Sequence, residues 1–221
     1  MKPTGSIMHF NSSDNRQQRT AAGSGRPSRF CDRVRRAHGQ SIVEFALTLP
    51  LFLLLCLGVM EFGYALYEDH MIVSLAREGS NLISRQSTLQ EAETALLAAV
   101  RPPINFNQNG KLIFSVVKLG TGGANLNQPI ITQRRIVGSS TGNSTLGTPP
   151  TASYNGAPDY SAVNADNDAA IRVTGSLPNG LTLTAGQSVY ITEIYTKHNL
   201  ITPAANFGVT LPTNLYASAY F

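Results

Sequence analysis

Apolar positions follow three regimes along this chain. From Phe45 to Met60 no residue is charged, and the apolar run resumes after Glu61 as FGYALY. A helix needs ~20 mostly apolar residues to cross a bilayer about 30 Å thick. Residues 40–67 are therefore predicted to form a transmembrane helix, with Glu61 near the far interface. Beyond it, Ile72, Leu75, Ala76, Leu82 and Ile83, then Leu89, Leu96, Leu97 and Val100, recur near three- and four-residue spacing, the mark of a helix with one buried face. Pro102 and Pro103 stop the pattern, because proline has no N–H to donate and restricts the residue before it. Residues 68–103 thus read as an extramembrane helical region, with Gly79 and Ser87 as candidate breaks and a second helix starting near Thr88. Pro50 removes a backbone hydrogen bond inside the span and is expected to give that helix flexibility.

The third regime is strand-like. KLIFSVVKL (Lys111–Leu119), PIITQRRIV (Pro129–Val137), AAIRVTG (Ala169–Gly175), SVYITEIYTK (Ser188–Lys197) and LYASAYF (Leu215–Phe221) mix β-branched and aromatic residues with alternating polar ones. Gly- and Asn-rich turns separate them, which predicts an antiparallel sheet domain over residues 104–221. One apolar face of that sheet needs a cover, and the emergent helix supplies it, giving an α+β architecture. Residues 138–168, rich in Gly, Ser, Thr, Asn, Pro and Ala, are expected to form a long surface loop.

Charge divides the chain. Residues 1–39 form a basic leader: they hold eight Lys and Arg against Asp14 and Asp32, about +6, while the remainder holds nine against eleven, about −2, which together make the formal net charge of +4. Positive residues stay on the cytoplasmic side of a span, so the N-terminus is expected inside. The basic cluster abuts the span directly, which argues for a topogenic tail and against nucleic-acid binding. Residues 1–30, without apolar periodicity, read as disordered.

An ordinary secretory signal has a shorter apolar core followed by a small-residue cleavage site; here Glu61, Tyr64 and Tyr67 follow a longer run. A lipoprotein would place a small residue before its cysteine, but Leu53, Leu54 and Leu55 precede Cys56. On the cytoplasmic side, Gly39 followed by Gln40, Ser41, Ile42, Val43 and Glu44 resembles the prepilin-peptidase pattern, with cleavage after glycine and glutamate fifth in the mature chain. The longer stretch GQSIVEFALTLPLFLLLCLGVMEFGYALY, followed by SLAREGSNLISRQ, resembles the TadE-like pseudopilins of tight-adherence pilus systems. VYITEIYTKHNLITP and LYASAYF resemble that family's last strands more loosely.

The resemblance implies a pilin-like fold whose long N-terminal helix extends into the periplasm and packs on the sheet. It implies a minor pilin cut between Gly39 and Gln40, held in the bacterial inner membrane and then in a pilus, acting in pilus assembly, surface adhesion or biofilm formation. Its partners would be the prepilin peptidase, other pilin and pseudopilin subunits and an assembly platform. Glu44 would pair with the freed amine of Gln40 on a neighbouring subunit, offsetting the cost of a carboxylate at the edge of a span. The alternative is an uncleaved single-span scaffold of an envelope pilus or secretion machine. Arg77, Glu78 and Gly79 read either as a subunit contact or as a solvated face whose glycine admits another element closely.

Catalytic signals are missing. The four histidines show no ligand spacing such as His-Glu-x-x-His, and there is no phosphate loop or dinucleotide fingerprint. Cys31 and Cys56 fall in the leader and the span and are not expected to bridge. Asp159, Asp166, Asn167 and Asp168 are oxygen donors of the kind calcium prefers, but their spacing fits no complete calcium loop. The expectation is a structural protein with no enzyme activity, metal or cofactor.

Overall fold

The computed structural model describes residues 29–202 and 213–221, with side chains described from Gly39 onward. The leader residues read as disordered therefore lie, up to Ser28, outside the described residues. Two compact units are distinguished, Met1–Pro50 and Leu51–Phe221.

Helix α1 spans Arg29–Ser84 and includes Pro50; helix α2 spans Leu89–Ala99. The break between them is chemically encoded. Gln86 takes a left-handed φ of 68°, and the Ser87 hydroxyl donates to the Leu82 carbonyl. Thr88 then starts α2 with a capping box: its hydroxyl accepts from Glu91 N at 3.2 Å, while its own N–H donates to the Glu91 carboxylate at 3.0 Å. Two otherwise orphaned donors are satisfied reciprocally. Gly79 lies inside α1 and does not interrupt it.

Four antiparallel strands follow: β1 (Gly110–Leu119), β2 (Pro129–Gly138), β3 (Ser188–Lys197) and β4 (Asn214–Tyr220), in the order β2-β1-β3-β4. A register shift between Val116 and Val117 marks a bulge in β1. The fold is α+β, a long apolar helix packed on an antiparallel sheet.

Alternation along the strands gives the sheet two buried faces. Leu112, Phe114, Val116 and Ile194 point to the helices, where Ile72, Ala76, Ile83 and Leu96 meet them. Fully burying a side chain such as Phe114 contributes roughly 1.5–3 kcal/mol. On the opposite face Val117, Ile131, Val189 and Ile191 pack with Leu146, Val173 and Leu177.

The segment expected to be a surface loop thus forms part of a third layer, and Leu146 within it is wholly buried. Its polar, Gly-rich composition hides this because a few apolar anchors suffice where backbone bonds do the rest. Val173 N donates to Pro129 O at 2.9 Å and Ala162 N to Thr132 O at 2.7 Å, covering the outer edge of β2. An edge paired in this way is not open to another chain.

The strand expected at Ala169–Gly175 is instead a short 3-10 turn at Ala169–Ile171 with one bridge, Ile130 to Arg172. Asp168 caps that turn, accepting from Ala170 N at 2.8 Å. Arg172 is anchored sideways by Asn125 Oδ1 at 2.7 Å and Ala124 O at 2.6 Å. Local side-chain bonds here outcompete the ladder.

Candidate functional site

In the first unit, Gly39 opens the apolar part of α1, and a Cβ built on it would meet no atom within 4 Å. Nothing in its own surroundings demands glycine there. One turn on, Gln40 Nε2 donates to Glu44 Oε1 at 2.9 Å, and both side chains are exposed. The carboxylate of Glu44 therefore finds a partner within the chain, from the residue whose amine the resemblance assigns to it. Thr48 returns its hydroxyl to Glu44 O at 3.0 Å and Phe45 O at 3.2 Å, which suits a polar side chain to an apolar environment.

From Ile42 to Met60 the large apolar side chains are exposed on every side of the helix. Leu47 is 74% exposed, Leu51 70% and Met60 69%. A helix that is apolar all round has to be covered by lipid or by other helices.

Glu61 interrupts this surface and is 1% exposed, while Phe62, Leu66 and Tyr67 beyond it remain exposed. Glu61 and Glu68 lie two turns apart on α1, and His198, just past the end of β3, sits between them. His198 Nδ1 is 2.6 Å from Glu68 Oε2 and Nε2 is 3.1 Å from Glu61 Oε1. Glu61 also accepts the backbone N–H of Ile201 at 3.0 Å and of Thr202 at 2.8 Å. The cluster is closed to solvent. The sheet domain thereby holds α1 through polar bonds within the stretch where Phe62, Leu66 and Tyr67 are still more than half exposed.

Farther along α1, Arg77 and Glu78 are exposed and Gly79 is buried. A Cβ on Gly79 would stand 2.8 Å from Thr192 Cγ2 and 3.1 Å from Phe114 Cε1, so this glycine lets α1 approach the sheet of its own chain. Gly39, Gln40 and Glu44 are thus one group, and Arg77, Glu78 and Gly79 a separate one farther along the same helix.

Residues 39–81 match the family model described as TadE-like protein. Over this segment, less than half of its length, the chain is similar to that family. No curated protein and no solved structure matches the chain. The TadE-like segment includes Gly39, Glu44, Pro50, Glu61, Glu68 and Gly79, whereas His198 belongs to the sheet domain outside it.

Several oxygen donors of the long loop are already engaged by backbone N–H groups. Asn164 Oδ1 accepts from Asn167 N at 3.2 Å, Asn167 Oδ1 from Ala124 N at 3.3 Å, and Asp168 caps a turn. Among the described residues no group of three or more His, Cys, Asp or Glu side chains is placed to hold a metal. Sequence reasoning missed the His198 cluster because its members are separated by 130 and 137 residues, and no local pattern joins them. The one available signal was Glu61 itself, a carboxylate interrupting an apolar run.

Proposed function

We propose that this chain is a minor pilin of a tight-adherence pilus, a structural protein and not an enzyme. The observation that supports this best is the exposed apolar surface of the TadE-like segment, which starts at Gly39 and is apolar on all sides. The arginine-rich leader would hold the N-terminus in the cytoplasm, the helix would sit in the inner membrane, and the sheet domain would face the periplasm. Prepilin peptidase would cut between Gly39 and Gln40. The freed helix would then leave the membrane through an assembly platform and pack against other pilin and pseudopilin subunits.

Glu44 changes partner in this scheme, from the side chain of its own Gln40 to the terminal amine of a neighbour's Gln40. Pro50 would let the helix flex on extraction. The span would run over residues 40–67, where Phe62, Leu66 and Tyr67 remain exposed while Glu61 and Glu68 are held by the sheet domain. Residues 40–60 in helical form rise about 31 Å, enough for a bilayer core.

A second reading, an uncleaved scaffold of an envelope machine, draws support from α1, which continues through Gly39 without a break. Mass spectrometry of the protein from its native cells separates the two. A mature N-terminus at Gln40 is expected; a peptide linking Arg36 to Gln40 as the sole species would overturn cleavage. Glu44→Ala is expected to insert normally and to be depleted from sheared pili, and undiminished incorporation would remove the proposed charge pairing.

A further inference from the structure

A cavity of about 250 Å³ opens beside β2, lined among others by Arg134, Pro149, Thr151, Tyr154, Asn155 and Tyr160. It lies at the outer edge of β2, where Arg135 and Ile136 also line it and Arg135 reaches Glu93 of α2. Arg134, on β2, is 5% exposed, and its Nε and Nη1 have no hydrogen-bond partner. Among the described residues, no carboxylate forms an ion pair with it. A buried guanidinium without an acceptor is costly, since desolvation of a charge is recovered only through paired, well-placed bonds. Burial accordingly pushes the Arg134 guanidinium below its ordinary value, against the opposing influence of Tyr154, Glu193 and Tyr195.

The neighbouring charges are already committed. Arg135 forks onto Glu93 with Nε at 2.6 Å and Nη2 at 2.9 Å. Glu193, buried on β3, accepts the hydroxyl of Ser144, Thr145 N and Thr145 Oγ1 at 2.8 Å each, and Tyr216 OH at 3.2 Å. With four donors on its two oxygens it has no need of Arg134. One positive charge at the cavity therefore lacks a contact partner.

The wall around it is pre-formed. Arg134 N donates to Tyr160 O at 3.0 Å, Asn155 N to Ser161 O at 2.7 Å, and Tyr154 bridges Ala162. Tyr160 holds a left-handed φ of 50° under the stacked Arg135 guanidinium, 4.8 Å from its ring centroid. Strain of this kind persists where surrounding structure over-determines it.

We propose that this cavity binds a small organic carboxylate, with Arg134 as the charge-bearing contact and Pro149, Tyr154 and Tyr160 holding its apolar body. A planar monoanion matches a planar guanidinium. One guanidinium, its charge partly offset by the nearby Glu193 carboxylate, disfavours a doubly charged phosphate. The volume, below the usual range for drug-sized ligands, limits the occupant to a few heavy atoms beyond the carboxylate.

The test is calorimetric titration of the full chain in detergent micelles with benzoate, with benzamide as the uncharged analogue and inorganic phosphate as the alternative anion. Saturable benzoate binding is expected, weakened about tenfold or more in Arg134→Gln and unchanged in Lys118→Gln, which removes a charge from an exposed site. Gly156→Phe covers the case in which Arg134→Gln fails to fold. A Cβ at Gly156 meets no atom within 4 Å, so the fold is retained while a ring is added to the cavity lining, and binding is expected to fall. The proposal is overturned by absence of saturation, by equal affinity for benzamide or phosphate, or by benzoate binding that survives both Arg134→Gln and Gly156→Phe.

Discussion

A neutral imidazole carries one N–H and an imidazolium two, and His198 faces a carboxylate at each ring nitrogen. The protonated ring satisfies both Glu61 and Glu68, and Glu61 in turn orders the backbone of Ile201 and Thr202. Removing the ring leaves two shielded carboxylates without the group they share, Glu61 keeping the backbone N–H groups of Ile201 and Thr202. His198→Ala is therefore expected to destabilise the sheet domain's hold on α1 by about 1–3 kcal/mol, the cost of leaving buried polar groups unpaired. Denaturant unfolding of the full chain in detergent measures it. His198→Gln, which keeps an N–H donor, should recover part of the loss. An unchanged midpoint in His198→Ala would mean that the cluster is solvated in solution.

At the scale of elements, the contact between α1 and the sheet depends on how closely two backbones approach. Gly79 permits that approach: an added methyl would fall within 3 Å of both Thr192 Cγ2, at 2.8 Å, and Oγ1, at 2.9 Å. Thr192 is fully buried and β-branched, so it cannot swing aside without an off-rotamer χ1. Overpacking costs roughly 1–3 kcal/mol, against a gain of about 1 kcal/mol for replacing a mid-helix glycine by alanine. Gly79→Ala is thus expected to lower stability by about 1 kcal/mol net, read from the unfolding midpoint, and a stabilised variant would show that the helix can lift from the sheet without penalty. The helices and four strands were legible in sequence because each carries a sustained run of its own residue types: Ser188–Lys197 is rich in β-branched and aromatic residues, and Thr88 with Glu91 spells a capping box. The third layer was not. Leu146 is an isolated apolar residue in polar surroundings, and only the arrangement of the sheet's second face shows what it covers. His198 was illegible for the same reason, since its partners Glu61 and Glu68 lie in another element, and the burial of Arg134 depends on segments distant in sequence.

For the whole molecule, burial of three phenols outside the helix-facing core governs the response to alkaline pH. Tyr154, Tyr195 and Tyr216 all have phenols raised above the ordinary value of 10.0, in each case chiefly by burial. For Tyr195 the carboxylate of Glu193 adds to the effect, while for Tyr154 the Arg134 guanidinium opposes it. The folded chain holds these protons more tightly than the unfolded chain does. Below the unfolded value near 10 both states are protonated and the stabilisation is complete. As pH rises past 10 the unfolded phenols ionise first, unfolding releases protons, and stability declines until the folded phenols ionise too. Unfolding midpoints measured below and above pH 10 are expected to fall on the alkaline side, with loss of the third layer. Tyr195→Phe should be less stable at neutral pH, because it gives up its bond to the Asn143 carbonyl, yet show a shallower alkaline decline. If the decline keeps its full steepness in Tyr195→Phe and Tyr154→Phe alike, the alkaline sensitivity arises elsewhere, and the second face is not the pH-limiting layer of the fold.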